Sequence, residues 1–559
     1  MQKIWNVKKT NVKLVESLAQ DLKVSKIIAN LLVLRGIKTF NDAKLFFRPD
    51  ISSLHDPFLM KNMDKAVIRI DNAVKKNQKI LIYGDYDVDG TTSVAMVYSF
   101  LKRYNQNIEY YIPCRYNEGY GISFEGIDYA YVNNFSLIIA LDCGIRAVDQ
   151  IAYANRKSID VIICDHHNPS KTIPNALAIL NPKQIDCPYP YKELSGCGVG
   201  FKLIHAYSIK NNISINQVKK YLDLVAVSIA ADIVPVNGEN RVLAYYGLKK
   251  INLNPCTGLK ALISECQKPD VYTMSDLAFK ISPRINAAGR IAHAKKAVEI
   301  LVEEEYTNAK IFAAEIELNN NSRKDLEQQI TKEALKMIDE NKKSTVVFSK
   351  NWHKGVIGIV ASRLIEISYK PTIVLAESDG LLTGSARSVH DFNLYEAISK
   401  CSHLCEKFGG HKYAAGLSIK KENLNKFIDA FEAEVKNTIK KEHLTPIIKV
   451  DMEIDLNDIN EKLLRIIKQF APFGPMNLSP VFISKGVIDN GYGRQIGKDK
   501  SHLKVSLKTS KGLISGIGFG MGSFFQKTKD SKPFDLCYSI KENEWNGRKS
   551  LQLVIADIN

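Results

Sequence analysis

The sequence predicts an α/β protein in several parts: a parallel-sheet domain, a long connecting helix, a second α/β domain and a C-terminal β-barrel. Three observations predict it. In the first half, short apolar runs alternate with helical segments, as in a parallel sheet covered on both faces. Polar residues stand directly after several of those runs, where open α/β sheets bind their ligands. After residue 447 the helical periodicity gives way to closely spaced short strands. With 559 residues the chain has room for about three or four domains and needs no disulfide to fold.

Taken in order, residues 1–55 read as a helical extension that ends in the connection Ser52–Pro57. Residues 56–304 form the predicted parallel-sheet domain. Its strands are 79–83, ending in Gly84-Asp85; Ile108–Ile112; Leu137–Leu141, ending in Asp142; Val161–Cys164, ending in Asp165-His166-His167; and Ala176–Leu180. Residues 305–343 hold no Gly or Pro, and apolar residues recur at Phe312, Ile316, Leu326, Ile330, Ala334 and Ile338. That pattern predicts one long helix, or two in series, between domains. Residues 344–440 repeat the strand–helix–strand pattern with a helix over Val356–Ile367. Residues 441–559 carry strands over Ile447–Ile454, Val481–Val487, His502–Leu507, Leu513–Phe519, Asp535–Ile540 and Leu551–Ile555, which suits a small barrel of the oligonucleotide-binding (OB) kind.

Composition narrows the function. Hydrophobic residues make up 45% and charged residues 25% of the chain, an ordinary globular balance. No apolar run approaches the ~20 residues of a membrane span, and the N-terminus shows no signal-peptide pattern. The ten cysteines form no CxxC pair. A reduced, cytoplasmic protein without membrane contact is expected. The net charge of +17 points to a polyanion such as nucleic acid. Residues 491–530 alone hold eight Lys/Arg against two Asp. Tyr492, Phe519, Phe524 and Phe525 in that stretch offer either stacking faces or barrel core.

The chemistry concentrates in four places. Gly84-Asp85-Tyr86-Asp87-Val88-Asp89-Gly90 puts three carboxylates at alternate positions. An EF-hand loop is excluded, because a strand precedes and the twelfth residue from Asp85 is Met96 rather than Glu. The Asp-x-Asp-x-Thr of aspartyl-phosphate phosphatases fits Asp87, Asp89 and Thr91 but leaves the later histidines unused. Asp142 follows one strand and Asp165-His166-His167 another; an Asp beside two histidines can orient an imidazole. Asp232 ends an apolar helical run. A mixed set of carboxylates and imidazoles suits Mn²⁺ or Mg²⁺, and this many donors can hold two ions.

With Pro283–Arg290 and Phe408–Gly416 added, six motifs occur in order. In these the chain resembles the DHH phosphoesterase superfamily, from about residue 55 to the C-terminus. The resemblance implies a catalytic domain, a DHHA1-type accessory domain over 344–440 and an OB-like domain. It implies a metal-dependent 5′→3′ exonuclease on single-stranded DNA that releases 5′-mononucleotides in DNA repair and recombination. The alternative within the family is a phosphoesterase acting on short oligonucleotides or cyclic dinucleotides. By resemblance, Asp87, Asp89, Asp142, His166 and Asp232 are metal ligands, and Asp85 and His167 are catalytic. Arg115, Arg284, Arg290, Ser385, Arg387, Gly410 and His411 bind substrate. Many members carry a histidine ligand four residues before the first ligand Asp, where this chain has Tyr83. The implied partners are single-stranded DNA, a single-strand-binding protein and a helicase, and the implied state is a monomer.

Overall fold

A computed structural model describes residues 3–266, 269–378, 380–529, 532–545 and 547–559. The chain divides into two compact units. One comprises Ile37–Asn320 with Lys468–Ser479, the other Met1–Gly36, Asn321–Ile467 and Pro480–Asn559. The helix Tyr306–Leu335 belongs to both. It stops short of residue 343: after Leu335 the chain tightens into turns, with the Lys336 and Met337 N–H groups donating to the Glu333 and Ala334 carbonyls. Among the described residues no helix is long and apolar enough to cross a membrane.

The unit containing Ile37–Asn320 is built on a five-stranded, all-parallel sheet. Its spatial order is Ile108–Tyr111, Ile80–Gly84, Leu137–Leu141, Asp160–Cys164, Ala178–Leu180. Alternate residues on each strand point to opposite faces, and both faces are filled. Ile80, Ile82, Ile139, Leu141, Ile162 and Cys164 enter one core with the helices Val88–Leu101, Gly196–Lys210 and Leu222–Ala231. Leu81, Tyr83, Ile138, Ala140, Val161 and Ile163 enter a second, smaller core. This two-sided burial is why the strands read as unbroken apolar runs. After Ile80–Gly84 the chain first crosses to one side of that strand and then to the other. The order therefore reverses between Ile80–Gly84 and Leu137–Leu141, and their carboxyl ends flank the crevice where such sheets bind ligands.

The other unit holds two larger sheets. The first has the order Cys405–His411, Ala414–Ile419, Leu381–Arg387, Thr372–Ser378, Thr345–Ser349, parallel only between the last two strands. The second has seven strands in the order Met452–Glu453, Phe482–Val487, Phe534–Trp545, Arg548–Ile558, Gly512–Gly518, His502–Thr509, Arg494–Ile496. In His502–Thr509 the alternating Leu503, Val505 and Leu507 are buried.

Two differences from the sequence expectation have physical causes. The hairpin Phe534–Trp545/Arg548–Ile558 outruns both apolar segments that announced it. Its distal half is polar, and backbone pairing needs no apolar side chain; the positive φ of Gly547 suits a tight hairpin turn. The N-terminal extension is not purely helical. Ile4–Val7 pairs in parallel with Ile447–Val450, and Lys8 forms an ion pair with Asp451 at 2.9 Å. A four-residue strand contributed to a distant partner leaves no periodic trace.

Candidate active site

The carboxyl ends of three neighbouring strands deliver the acidic and imidazole groups. Ile80–Gly84 leads into Asp85, and Asp87 is the N-cap of the helix Val88–Leu101, accepting the Gly90 N–H at 3.0 Å through Oδ1. Asp89 lies in the first turn of that helix and is buried. Leu137–Leu141 leads into Asp142, whose backbone is left-handed, φ 59°, at a cost of about 1–3 kcal/mol for a non-glycine residue. Asp160–Cys164 leads into Asp165, His166 and His167. Asp232 caps the carboxyl end of the helix Leu222–Ala231.

These groups converge on His166. Its Nε2 lies 3.2 Å from Asp142 Oδ1, 3.5 Å from Asp232 Oδ2 and 3.7 Å from Asp89 Oδ2. Among the described residues, neither His166 ring nitrogen has a hydrogen-bond partner, nor do Asp142 Oδ1 and Asp85 Oδ2, although all are buried. Buried polar atoms left unmatched beside one another want a common partner. Two sets of ligand atoms lie within 4.8 Å of one another: Asp142, His166 and His167, and Asp89, His166 and Asp232.

The electrostatics point the same way. Burial, then repulsion from Asp87, pushes the Asp85 carboxyl well up; burial, then Asp89, pushes Asp142 well up, raises Asp87 and brings Asp232 to about 8. Burial keeps His166 below the usual imidazole range. A bound cation relieves such crowding of like charges. The donor set, oxygen-rich with imidazole and without thiolate, fits Mn²⁺ or Mg²⁺. Close backbone approach is required here: a Cβ on Gly196, at the start of the helix Gly196–Lys210, would stand 2.7 Å from Asp142 Oδ1.

His167 is held differently from its neighbour. Its Nδ1 lies 2.7 Å from Asp165 Oδ1, leaving Nε2 outward, 3.2 Å from the Tyr120 hydroxyl. Asp165 also accepts the backbone N–H groups of Ile145, His166 and His167. Burial opposes the Asp165 charge, but the His167 ring and these donors outweigh it and bring the carboxyl down to about 2. Burial likewise opposes a charged His167 ring, and the Asp165 bond followed by the surrounding carboxylates raises it nonetheless. Asp165 and His167 thus form an ordered pair at the edge of the cluster, with His167 Nδ1 4.0 Å from Asp142 Oδ1.

Comparison with known proteins assigns the parts. Residues 79–229 match the DHH family, N-terminal domain; residues 340–437 the DHHA1 domain; residues 450–557 the RecJ OB domain. The single-stranded-DNA-specific exonuclease RecJ of Bacillus subtilis (strain 168) is 36% identical over 99% of this chain and 70% of its own length. That of Haemophilus influenzae is 33% identical over 90% of this chain and 92% of its own. The chain belongs to the RecJ family. The crystal structure of RecJ in complex with Mn²⁺ from Thermus thermophilus superposes with a TM-score of 0.86 at 25% identity, covering 100% of this chain and 79% of that one. A second structure, exonuclease RecJ bound to manganese, gives 0.62 at 30% identity over 70% of this chain and 97% of its own.

In this RecJ-family chain the position before the acidic motif supplies no ligand. Tyr83 is fully buried in the smaller core, and its hydroxyl donates to the Gly121 carbonyl at 3.0 Å and accepts the Ser123 N–H at 3.1 Å. Arg115 and Arg290 gather beside the cluster. The Arg115 guanidinium lies 4.9 Å over the Tyr86 ring, and burial pushes the Tyr86 hydroxyl up to about 12 against the opposing charges of Arg115 and Arg290. Arg284 does not join them. Its guanidinium is paired with Glu317 at 2.6 Å and donates to the Lys280 carbonyl, so its charge is spent inside the fold.

In the other unit, Ser385 and Arg387 sit two apart on one strand, and Arg387 Nη1 lies 3.1 Å from Ser385 Oγ. His411 is exposed at the end of its strand. Gly410 stands next to His411 on the same strand, where its lack of a side chain has a structural reason. A Cβ there, at φ 148°, would strike the Ala414 carbonyl and Ala415 on the paired strand, so close strand pairing requires the glycine. Sequence reasoning missed Tyr120, Ser195 and Ser228. The signal for the first two was the same as for the acidic residues: polar groups and glycines in short turns beside apolar segments.

Proposed function

We propose that this chain is a divalent-metal-dependent exonuclease that degrades single-stranded DNA from the 5′ end, releasing 5′-mononucleotides. The observation that carries the reading is the buried set of unpartnered carboxylate and imidazole atoms around His166 at the reversal point of the parallel sheet. In this reading Asp87, Asp89, Asp142, His166 and Asp232 would hold two ions of Mn²⁺ or Mg²⁺. Bound metal supplies Lewis acidity and a water nucleophilic at neutral pH.

The chain's own residues do the rest. Asp165 fixes the His167 tautomer and favours its charged form, so Nε2–H can meet a phosphate oxygen or return a proton to the departing 3′ oxygen. Asp85, buried at the rim, supports the acidic turn. Arg115 and Arg290 offer guanidinium forks suited to a dianionic 5′-phosphate. In the other unit the Ser385–Arg387 pair, with His411, offers a second set of phosphate donors. The OB domain holds the single strand. The names of the relatives, single-stranded-DNA-specific exonucleases, support this reading. A phosphoesterase of short oligonucleotides or cyclic dinucleotides is less favoured, because the chain continues into an OB domain. We further propose a cytoplasmic monomer, consistent with ten free thiols. On the family resemblance, it works in DNA repair and recombination beside a single-strand-binding protein and a helicase.

The test is digestion of 5′-labelled single strands, duplexes and dinucleotides, with and without Mn²⁺. Labelled mononucleotide should appear first, from single strands and only with metal. Equal cleavage of duplex, faster cleavage of dinucleotides than of long strands, or release from the 3′ end would overturn the proposal.

A further inference from the structure

The carboxylate of Asp89 is held by more than the cluster it faces. The helix Gly196–Lys210 aims its free N-terminal N–H groups at it. Gly196 N donates to Oδ2 at 2.7 Å and Cys197 N to Oδ1 at 2.8 Å. A third donor arrives from another helix: Ser228 Oγ lies 2.7 Å from Asp89 Oδ1. Ser228 is fully buried and also lies 2.6 Å from the hydroxyl of Ser195, the N-cap that accepts the Gly198 N–H. A hydroxyl has one hydrogen. With that of Ser228 directed at the carboxylate, the Ser195 hydrogen fills the contact between the two serines. The result is a short chain of polarised hydrogen bonds, from Gly198 N–H through Ser195 and Ser228 to Asp89.

The same residue governs a second carboxylate. The Ser228 carbonyl accepts the backbone N–H of Asp232 at 3.0 Å, in the last turn of the helix Leu222–Ala231. The next residue, Ile233, is β-branched with φ 58°, so the chain turns sharply there and the position of Asp232 depends on that turn. Ser228 thus touches Asp89 through its side chain and Asp232 through its main chain, and both carboxylates face His166 Nε2. With Oδ1 of Asp89 occupied by two donors, Oδ2 is the atom turned to the cluster.

We infer that Ser228 is a positioning residue of the metal centre: its hydroxyl fixes which Asp89 oxygen is presented, and its place on the helix holds Asp89 and Asp232 at a set spacing. This rests on the proposed metal-binding role of the cluster. Residues that orient ligands in this way typically change metal affinity about 10–100-fold when lost.

The experiment compares Mn²⁺ binding by calorimetry, and the Mn²⁺ dependence of kcat and KM on a single strand, in the full-length protein. Ser228→Ala should weaken Mn²⁺ binding about 10–100-fold and shift the activating Mn²⁺ concentration by the same factor, with KM for DNA nearly unchanged. Ser228→Thr, which keeps the hydroxyl, should restore binding. Ser228→Cys, close in size and a weak donor, should fall between and replaces the alanine variant if that one does not fold. Ser208→Ala removes an equally buried hydroxyl from the helix Gly196–Lys210, one that donates to the Ile204 carbonyl within its own helix, and should leave Mn²⁺ binding unchanged. Wild-type Mn²⁺ affinity in Ser228→Ala or Ser228→Cys overturns the inference, as does an equal loss in Ser208→Ala. Asp89→Asn separates the two levels. If it too binds Mn²⁺ as wild type does, the metal-binding reading itself fails; if it loses binding while Ser228→Ala does not, only the role of Ser228 fails.

Discussion

Two adjacent histidines differ in what holds them, and that difference sets their expected roles. His166 has no hydrogen-bond partner on either ring nitrogen among the described residues, whereas His167 is anchored through Nδ1 to Asp165. Successive side chains on a turning backbone point different ways, so one ring enters the carboxylate cluster and the other stands over it. His166→Ala should lower Mn²⁺ affinity and turnover together. His167→Ala should leave Mn²⁺ affinity within a few-fold and lower kcat by about 10²–10⁴-fold, the range of a lost acid–base group. Asp165→Asn should resemble His167→Ala. Asp142→Ala, at a residue whose Oδ1 lies 3.2 Å from His166 Nε2, should exceed the about 10²–10³-fold cost of a single preorganised donor while the protein stays folded. Calorimetric Mn²⁺ titration beside single-strand turnover decides: equal loss of bound metal in the two histidine variants contradicts the division.

At the scale of the element, the helix Gly196–Lys210 carries much of the site's support. Its N-terminus binds Asp89, and its middle is clamped by a fully buried ion pair, Lys202 to Glu239 at 2.5 Å. Glu239 is fully engaged, accepting the Tyr189 hydroxyl and the His55 N–H as well. One turn on, His205 cannot readily take a proton. Burial, then the Lys202 charge, lowers it to about 4, and its Nδ1 has no hydrogen-bond partner among the described residues. The unfolded chain has its histidine near 6.5. Between those values the unfolded state binds more protons than the native state, so this group lowers stability as pH falls from about 6.5 to about 4 and has no effect above that window. Denaturant titrations at pH 7.5 and pH 5 should show a smaller acid-side loss in His205→Phe than in the wild type. An identical loss in both would mean that His205 is protonated in the native helix.

For the whole molecule, the excess positive charge and the seven-stranded domain should act together on a polyanion. The aromatic question left open by the sequence divides in the structure. Tyr492 and Phe519 are 73% and 63% exposed, with the His502 ring edge-on to Phe519 at 5.5 Å, whereas Phe524 and Phe525 are half-buried. Two exposed aromatics among lysines suit base stacking, at about 1–3 kcal/mol per base. Phe519→Ala should weaken binding of a long single strand, and Arg494→Ala with Lys498→Ala and Lys500→Ala should also flatten its salt dependence. Each lost phosphate contact should reduce the log–log slope by about 0.7. Fluorescence anisotropy at several salt concentrations measures both. An unchanged slope in the triple variant would place the strand elsewhere. Deleting residues 447–559 is a poorer test, because Ile4–Val7 would lose the strand it pairs with.

The sequence by itself determined the parallel sheet, the long helix, the β-rich C-terminal part and the acidic and histidine residues at the strand ends. Each leaves a local mark: an unbroken apolar run where both faces are buried, a 3.6-residue period, a polar residue where a strand stops. Only the tertiary structure decided which partners those residues take. Asp165 anchoring His167, Ser228 reaching Asp89, Arg284 spent on Glu317 and Gly410 fitted against Ala415 all join positions whose pairing has no period along the chain. The same holds for the strand Ile4–Val7, whose partner lies more than four hundred residues away. Local patterns fix what an element is, because they reflect which side of it is buried; which groups meet across elements depends on how those elements pack.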